Sequence, residues 1–193
     1  NNVLGSIVIK LPLPPSCLTT IWGANNTFIE KYLTRFPGYY ETGDAGYLDD
    51  DGYIYIMART DDVINVAGHR LSTGQIEEVI SEHPDVAECA VIGINDELKG
   101  QIPISFVCLY PDTQNSDTKI CEEIVQLVIN KVGRVSSLKK VVIIDRLPKT
   151  RSGKIVRSTM VKIANQEKWT IPATIEDATV LDEISRALQK QLL

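Results

Sequence analysis

The chain has 193 residues, 44% of them hydrophobic and 23% charged, with 20 Lys+Arg against 25 Asp+Glu for a net charge of −5. That composition excludes a disordered, collagen-like or coiled-coil chain, and no apolar run reaches the roughly 18 residues of a membrane-spanning helix. The acidic net charge argues against non-specific nucleic-acid binding by the chain as a whole.

The mean charge hides a segregation. Residues 40–97 hold fourteen Asp/Glu and two Lys/Arg, whereas residues 131–157 hold nine Lys/Arg and a single acid, Asp145. Cys17, Cys89, Cys108 and Cys121 form no C-x-x-C pair, and Cys89 and Cys108 lie in apolar runs. They read as free thiols in a reducing, intracellular compartment. The first residue is Asn1, and residues 1–4 do not read as a signal or transit sequence, so the expectation is a piece of a longer chain.

In chain order, residues 6–9 read as a strand. A connection with Pro12, Pro14 and Pro15 leads to a short helix over 27–33, with Asn26 or Thr27 as its cap. Residues 37–44 read as turn-rich. Two alternating apolar runs around Asp50-Asp51-Gly52 predict a hairpin. Val63-Ile64-Asn65-Val66 predicts a strand ending at Gly68. Residues 73–82 predict a helix capped by Thr73, with Ile76, Val79 and Ile80 at helical spacing and Pro84 as its stop. Strands follow over 86–94 and 102–110, an amphipathic helix over 118–132, a strand over 141–144, a loop over 149–154 and a helix over 155–164. The tail reads as peripheral until a helix over 181–192. Strands alternating with helices after residue 62 predict an α+β domain, and Ala58-Arg59-Thr60-Asp61-Asp62 is its polar junction with what precedes it.

Four stretches carry candidate chemistry. In Thr42-Gly43-Asp44 the glycine permits close backbone approach, and the aspartate offers acceptors suited to a ribose diol; alone, the triplet also fits a plain Asx turn. In Arg59-Thr60-Asp61-Asp62 the arginine ends a hairpin strand, within reach of a ribose or phosphate; the same four residues also fit a solvated surface turn. In Gly68-His69-Arg70-Leu71, Arg70 offers a fork for phosphate. His69 has no serine or cysteine nucleophile beside it and reads as a structural or surface residue. His83, just before Pro84, reads as a helix-end residue. The fourth stretch, Lys149-Thr150-Arg151-Ser152-Gly153-Lys154, would close over an anion. It is not a phosphate-binding P-loop, because Pro148 stands where that motif needs glycine and Ile155 where it needs serine or threonine. The surrounding bases fit phosphate-rich ligands or RNA, but no aromatics are interleaved for base stacking.

In this order and spacing, Tyr40-Glu41-Thr42-Gly43-Asp44, residues 59–71 and residues 148–154 resemble three core motifs of the AMP-forming acyl-CoA synthetases of the adenylate-forming superfamily. Asn65-Val66-Ala67-Gly68-His69-Arg70 and Lys149-Thr150-Arg151-Ser152-Gly153-Lys154 are similar to the short-chain, acetyl- and propionyl-CoA branch. Residues 9–15, residues 36–40 and Thr174-Ile175-Glu176-Asp177 are similar to its mitochondrial, propionate-activating members.

The resemblance implies that residues 1–60 end a large AMP-binding N-terminal domain. Residues 61–193 would then form a mobile C-terminal lid, a small β-sheet with flanking helices. It implies a two-step ligase using ATP, Mg2+ and coenzyme A as substrates and cosubstrates, without a prosthetic group. Partners are a small carboxylate and the rest of the same chain, with no nucleic acid and no membrane span. The compartment is the mitochondrial matrix, with the cytosol as alternative. By position it implies Lys154 as the catalytic residue of adenylation, with Thr42, Asp44, Arg59 and Arg70 on ATP or AMP. Asp61 would be the hinge, Ala67, Gly68 and Arg134 the coenzyme A contacts, and Ser81, His83 and Val86 the holders of a structural cation. The branch's usual coenzyme A arginine is Ile129 here, and the usual Gly-Pro is Gly133-Arg134, so either Lys131 or Arg134 substitutes or the coenzyme A contacts differ. The triphosphate loop and acyl pocket of such enzymes lie in the large domain, so the 193 residues alone are expected to be inactive. The alternatives are a carrier-protein-loading adenylation domain and a non-catalytic nucleotide- or RNA-binding module.

Overall fold

A computed structural model describes residues 3–191, apart from the side chains of residues 61 and 191. Its contacts divide the chain into two compact units, Asn1–Asp61 and Asp62–Leu193.

In the first unit β1 (Gly5–Lys10), β2 (Tyr39–Leu48) and β3 (Ile54–Arg59) form an antiparallel sheet in that order, and α1 (Asn25–Tyr32) precedes β2. The hairpin around Asp50-Asp51-Gly52 forms, with Asp49 Oδ1 accepting the amides of Asp51 and Tyr53. Tyr47 and Tyr55 stack across it at 4.8 Å. Two expectations are corrected. Helix α1 begins at Ala24 with no side-chain cap, not at Asn26 or Thr27. Residues 39–44, expected as turn, are strand; Gly43 at φ +79° bends the strand within its ladder, and the register shifts between Ala45 and Gly46.

In the second unit β4 (Val63–Val66), β5 (His69–Ser72), β6 (Val86–Asp96), β7 (Gly100–Leu109) and β8 (Lys140–Ile143) form one sheet in the order β5-β4-β7-β6, with β8 parallel to β7. Strand side chains alternate between faces. Ala90, Ile92, Ile104, Phe106, Cys108 and Val142 pack on one side with α4 (Arg157–Ala164) and α5 (Thr179–Gln191). Val91, Val107 and Val141 pack on the other with α2 (Thr73–Ile80) and α3 (Asp117–Lys131). This is the α+β domain expected, a sheet with a helical layer on each face.

Helix α3 buries Ile120, Ile124 and Val128 at four-residue spacing, and Ser116 caps it by accepting the Lys119 amide. The cap of α2 is Ser72 rather than Thr73, which is buried in the first turn. Strand β5 was absent from the expectation because only Leu71 of its four residues faces the core. The tail is not peripheral. Ile175, Val180, Leu181 and Ile184 are buried in the first cluster, and the helix starts at Thr179; Leu192, the last residue of the expected helix, lies outside the described residues. All four cysteines are free, and burial pushes the Cys108 thiol up to about 11.

Candidate functional site

The candidate residues fall into three clusters. In the first unit, Asp44 and Arg59 are register partners on β2 and β3, and Arg59 Nη1 donates to Asp44 Oδ1 at 3.3 Å. Thr42 locks the local backbone: its hydroxyl donates to the Ile7 carbonyl at 2.9 Å and accepts the Asp44 amide at 3.1 Å. Thr60, which sequence reasoning left without a role, ties Gly43 down by donating to its carbonyl at 3.2 Å. A Cβ on Gly43 would lie 2.6 Å from Arg59 Nη2, so the glycine is what lets the guanidinium lie across the strand. One bond from Arg59 uses part of a carboxylate's roughly four lone-pair positions, so the group keeps the capacity to accept from a diol. Asp61 falls in the 3-10 turn Thr60–Asp62 at the boundary between the units.

The second cluster surrounds Ala67 and Gly68. These were read as the end of a strand. They form instead a two-residue turn between β4 and β5, with Val66 and His69 paired and both turn residues at positive φ, +48° and +87°. The Ala67 amide donates to the Lys99 carbonyl at 2.8 Å, Lys99 Nζ donates to Ser137 Oγ at 2.7 Å, and the Ser137 amide donates to the Arg134 carbonyl at 3.2 Å. Arg134 is exposed, so one bonded path links this turn to a basic residue. Lys131 is taken by an ion pair with Glu82. Lys99 and Ser137 were missed because nothing in their local sequence marks them. Arg70 is exposed on β5 opposite Asn65, and His69 is exposed beside it.

The third cluster holds Lys154. The loop expected over 149–154 is a hydrogen-bonded hairpin. The Thr150 amide donates to the Lys154 carbonyl at 2.8 Å, the Gly153 amide to the Thr150 carbonyl at 2.8 Å, and the Lys154 amide to Thr150 Oγ1 at 3.1 Å. Lys149 Nζ anchors the hairpin to Glu88 on β6 at 2.7 Å. The backbone of Lys154 is thus fixed while its side chain stands exposed.

At the expected cation position, Ser81 donates to the Glu77 carbonyl at 2.8 Å. His83 accepts the Asp85 amide through Nδ1 at 3.2 Å, which leaves Nε2 to donate to Glu123 at 3.1 Å. The His83 carbonyl accepts the Val86 amide. These side chains are engaged, so only main-chain carbonyls could hold a cation there. Among the described residues no group of three His, Cys, Asp or Glu side chains could hold a metal ion.

Residues 75–154 match the family model of the AMP-binding enzyme C-terminal domain. The chain is 46% identical over 187 residues to the mitochondrial acyl-CoA synthetase short-chain family member 3 of Mus musculus, covering 97% of the chain and 27% of that protein. It is 42% identical over 194 residues to the propionate–CoA ligase of Escherichia coli, covering 98% of the chain and 31% of that protein. Among solved structures, the acetoacetyl-CoA synthetase of Streptomyces lividans superposes with a TM-score of 0.81 at 21% identity, over 98% of the chain and 29% of that structure. That last likeness shows the fold alone. The chain thus spans less than a third of the length of these relatives.

Proposed function

We propose that this chain, whose residues 75–154 match the AMP-binding enzyme C-terminal domain, is the C-terminal part of an ATP-dependent short-chain carboxylate–CoA ligase of the adenylate-forming superfamily. In the first step a carboxylate oxygen attacks the α-phosphorus of ATP, giving acyl-AMP and pyrophosphate. In the second the coenzyme A thiol attacks the acyl carbon and AMP leaves. Acetate and propionate are the proposed carboxylates, and the mitochondrial matrix the proposed compartment. Propionate and the compartment draw on the propionate–CoA ligase and the mitochondrial relative, and acetate on the resemblance of residues 65–70 and 149–154 to the acetyl- and propionyl-CoA branch.

Asp44, steadied by Arg59 and the Thr42 hydroxyl, takes the ribose hydroxyls. Arg70 meets phosphate. Lys154 reaches the carboxylate and α-phosphate, where charge develops during transfer. Mg2+ would enter as the companion of ATP. The Ala67–Gly68 turn lines the path of the thiol arm, and Arg134 meets the phosphates of coenzyme A.

The carrying observation is the separation of the last two clusters within the second unit. The Lys154 hairpin is tied to β6 at Glu88, and the Ala67 turn bonds to Lys99 just past Asp96, the last residue of β6. Those ends of β6 are roughly 26 Å apart at about 3.3 Å per residue. A domain presenting one end for adenylation and the other for thioester formation must turn between the two steps. Asp61, at the unit boundary, is the proposed hinge. The RNA-binding alternative loses support, because Lys131, Arg146, Lys149 and Arg157 of the basic block are ion-paired.

In the full-length protein, Lys154→Ala should reduce acyl-dependent pyrophosphate exchange by 100-fold or more, on the order expected for losing one transition-state charge contact. Thioester formation from supplied acyl-AMP should stay within about threefold, a range that corresponds to under 1 kcal/mol. Equal losses in both half-reactions would overturn the assignment.

A further inference from the structure

The Lys154 hairpin is held on two sides, and the second side comes from a part of the chain beyond the matched family segment, which ends at residue 154. Thr150 and Ile175 form an antiparallel bridge. The Arg151 amide donates to the Thr174 carbonyl at 3.0 Å, and the Glu176 amide donates to the Lys149 carbonyl at 2.9 Å. Residues 174–176 therefore add a third short strand against the hairpin.

That strand is itself anchored. Ile175 is 7% exposed and packs in the cluster of Leu147, Val156, Met160, Leu181 and Ile184. Two residues on, Asp177 Oδ1 accepts both the amide and the hydroxyl of Thr179, at 2.9 and 2.7 Å, and Asp177 pairs with Arg146 at 2.8 Å. These bonds fix where the tail turns into α5. A side chain exposed to solvent on a short hairpin has its reach set by the hairpin's own orientation. Here that orientation is fixed by Ile175 in the core and by two main-chain bonds.

We propose that residues 174–177 are a clamp that positions Lys154 for adenylation, with Ile175 and the Glu176 amide as its positioning groups. This rests on the reading of Lys154 given above. Displacement of a reacting group by about 1 Å can cost on the order of 100-fold in rate. The clamp therefore acts on the first half-reaction, in which Lys154 faces the substrate, and not on the second.

The test uses the full-length protein carrying Ile175→Ala, Ile175→Val or Glu176→Pro. The proline change removes the amide donated to Lys149 at an exposed position, so it decides the matter even where Ile175→Ala fails to fold. Three readouts are taken: hydrogen exchange over residues 149–154, pyrophosphate exchange, and thioester formation from supplied acyl-AMP. For Ile175→Ala and Glu176→Pro the expected result is faster exchange confined to the hairpin and a roughly 10- to 100-fold fall in pyrophosphate exchange. Thioester formation should stay within twofold, and Ile175→Val should keep activity. Unchanged hairpin exchange, or equal falls in both half-reactions, would overturn the clamp. Lys154→Ala is run alongside. If it abolishes pyrophosphate exchange and the tail variants do not reduce it, the clamp alone fails. If it leaves pyrophosphate exchange intact, the role of Lys154 fails and takes the clamp's function with it.

Discussion

Gly43 sits at φ +79° with Arg59 Nη2 2.6 Å from where a Cβ would be, whereas Gly52, in the same unit at φ +86°, has open space around it. Alanine at either position carries the backbone cost of positive φ, about 1–2 kcal/mol. Only Gly43→Ala also displaces the guanidinium bonded to Asp44. In the full-length protein Gly43→Ala should therefore raise the KM for ATP by roughly tenfold or more, the worth of one hydrogen bond to a charged group. Gly52→Ala should leave that KM unchanged while losing comparable stability in urea. Equal KM values for the two variants would show that Arg59 does not need the space. The candidate role of these residues came from the resemblance of residues 40–44 to a family motif, since Thr42-Gly43-Asp44 alone also fits an Asx turn. The contact that makes the glycine necessary was not legible, since Arg59 approaches from a neighbouring strand, sixteen residues further along the chain. The caps of α1 and α2 were misplaced by one to three residues because neither helix is started by a side-chain cap: Ala24 and Ser72 hold the N-cap positions without a side-chain hydrogen bond, so the capping pattern does not mark them.

Among elements, α2 and α4 are joined by charge. Arg157 Nη2 donates to Glu77 at 2.8 and 2.9 Å, Glu77 Oε1 also accepts the Val91 amide at 2.7 Å, and Arg157 Nε faces Asp62 at 3.9 Å. The Arg157 and Glu77 side chains are 26% and 17% exposed, so removing one partner strands a largely buried charge. Glu77→Gln and Arg157→Met should each cost about 2–4 kcal/mol in urea unfolding. The double variant should cost clearly less than the two together, with a coupling of about 1 kcal/mol or more. Strictly additive losses would show that the pair contributes nothing beyond its separate packing. Periodicity found α3 and the long strands, since their buried residues recur at the expected spacing. It missed β5, and it took the stretch from Ile175 to Val180 for a peripheral tail. In both cases the burying surface is supplied by distant segments, which local alternation does not register.

At the scale of the whole molecule, the charge segregation has a structural source. Lys131–Glu82, Lys149–Glu88 and the contacts of Arg157 with Glu77 and Asp62 all pair the basic block with the acidic stretch. The polarity along the sequence becomes neutralisation in space, and among the described residues Arg134, Lys139, Lys140, Arg151 and Lys154 make no ion pair. Apolar burial is as uneven as charge. Both core clusters lie wholly within residues 62–193, whereas Phe28 and Ala45 are the buried hydrophobic residues described for the first unit. There β3 exposes Ile54 at 62%, Ile56 at 69% and Met57 at 51%, an apolar run with no partner among the described residues. Folding free energy scales with apolar area buried, so the second unit carries its own stability and the first does not. Residues 62–193 expressed alone should unfold cooperatively in urea. Their unfolding free energy, extrapolated to water, should match that of the main transition of the 193-residue chain to within about 10–15%, the usual uncertainty of such extrapolations. Residues 1–61 alone should show no cooperative transition and should bind a hydrophobic dye or self-associate. A non-cooperative 62–193 piece would mean that the sheet and its two helical layers need the first unit to hold together.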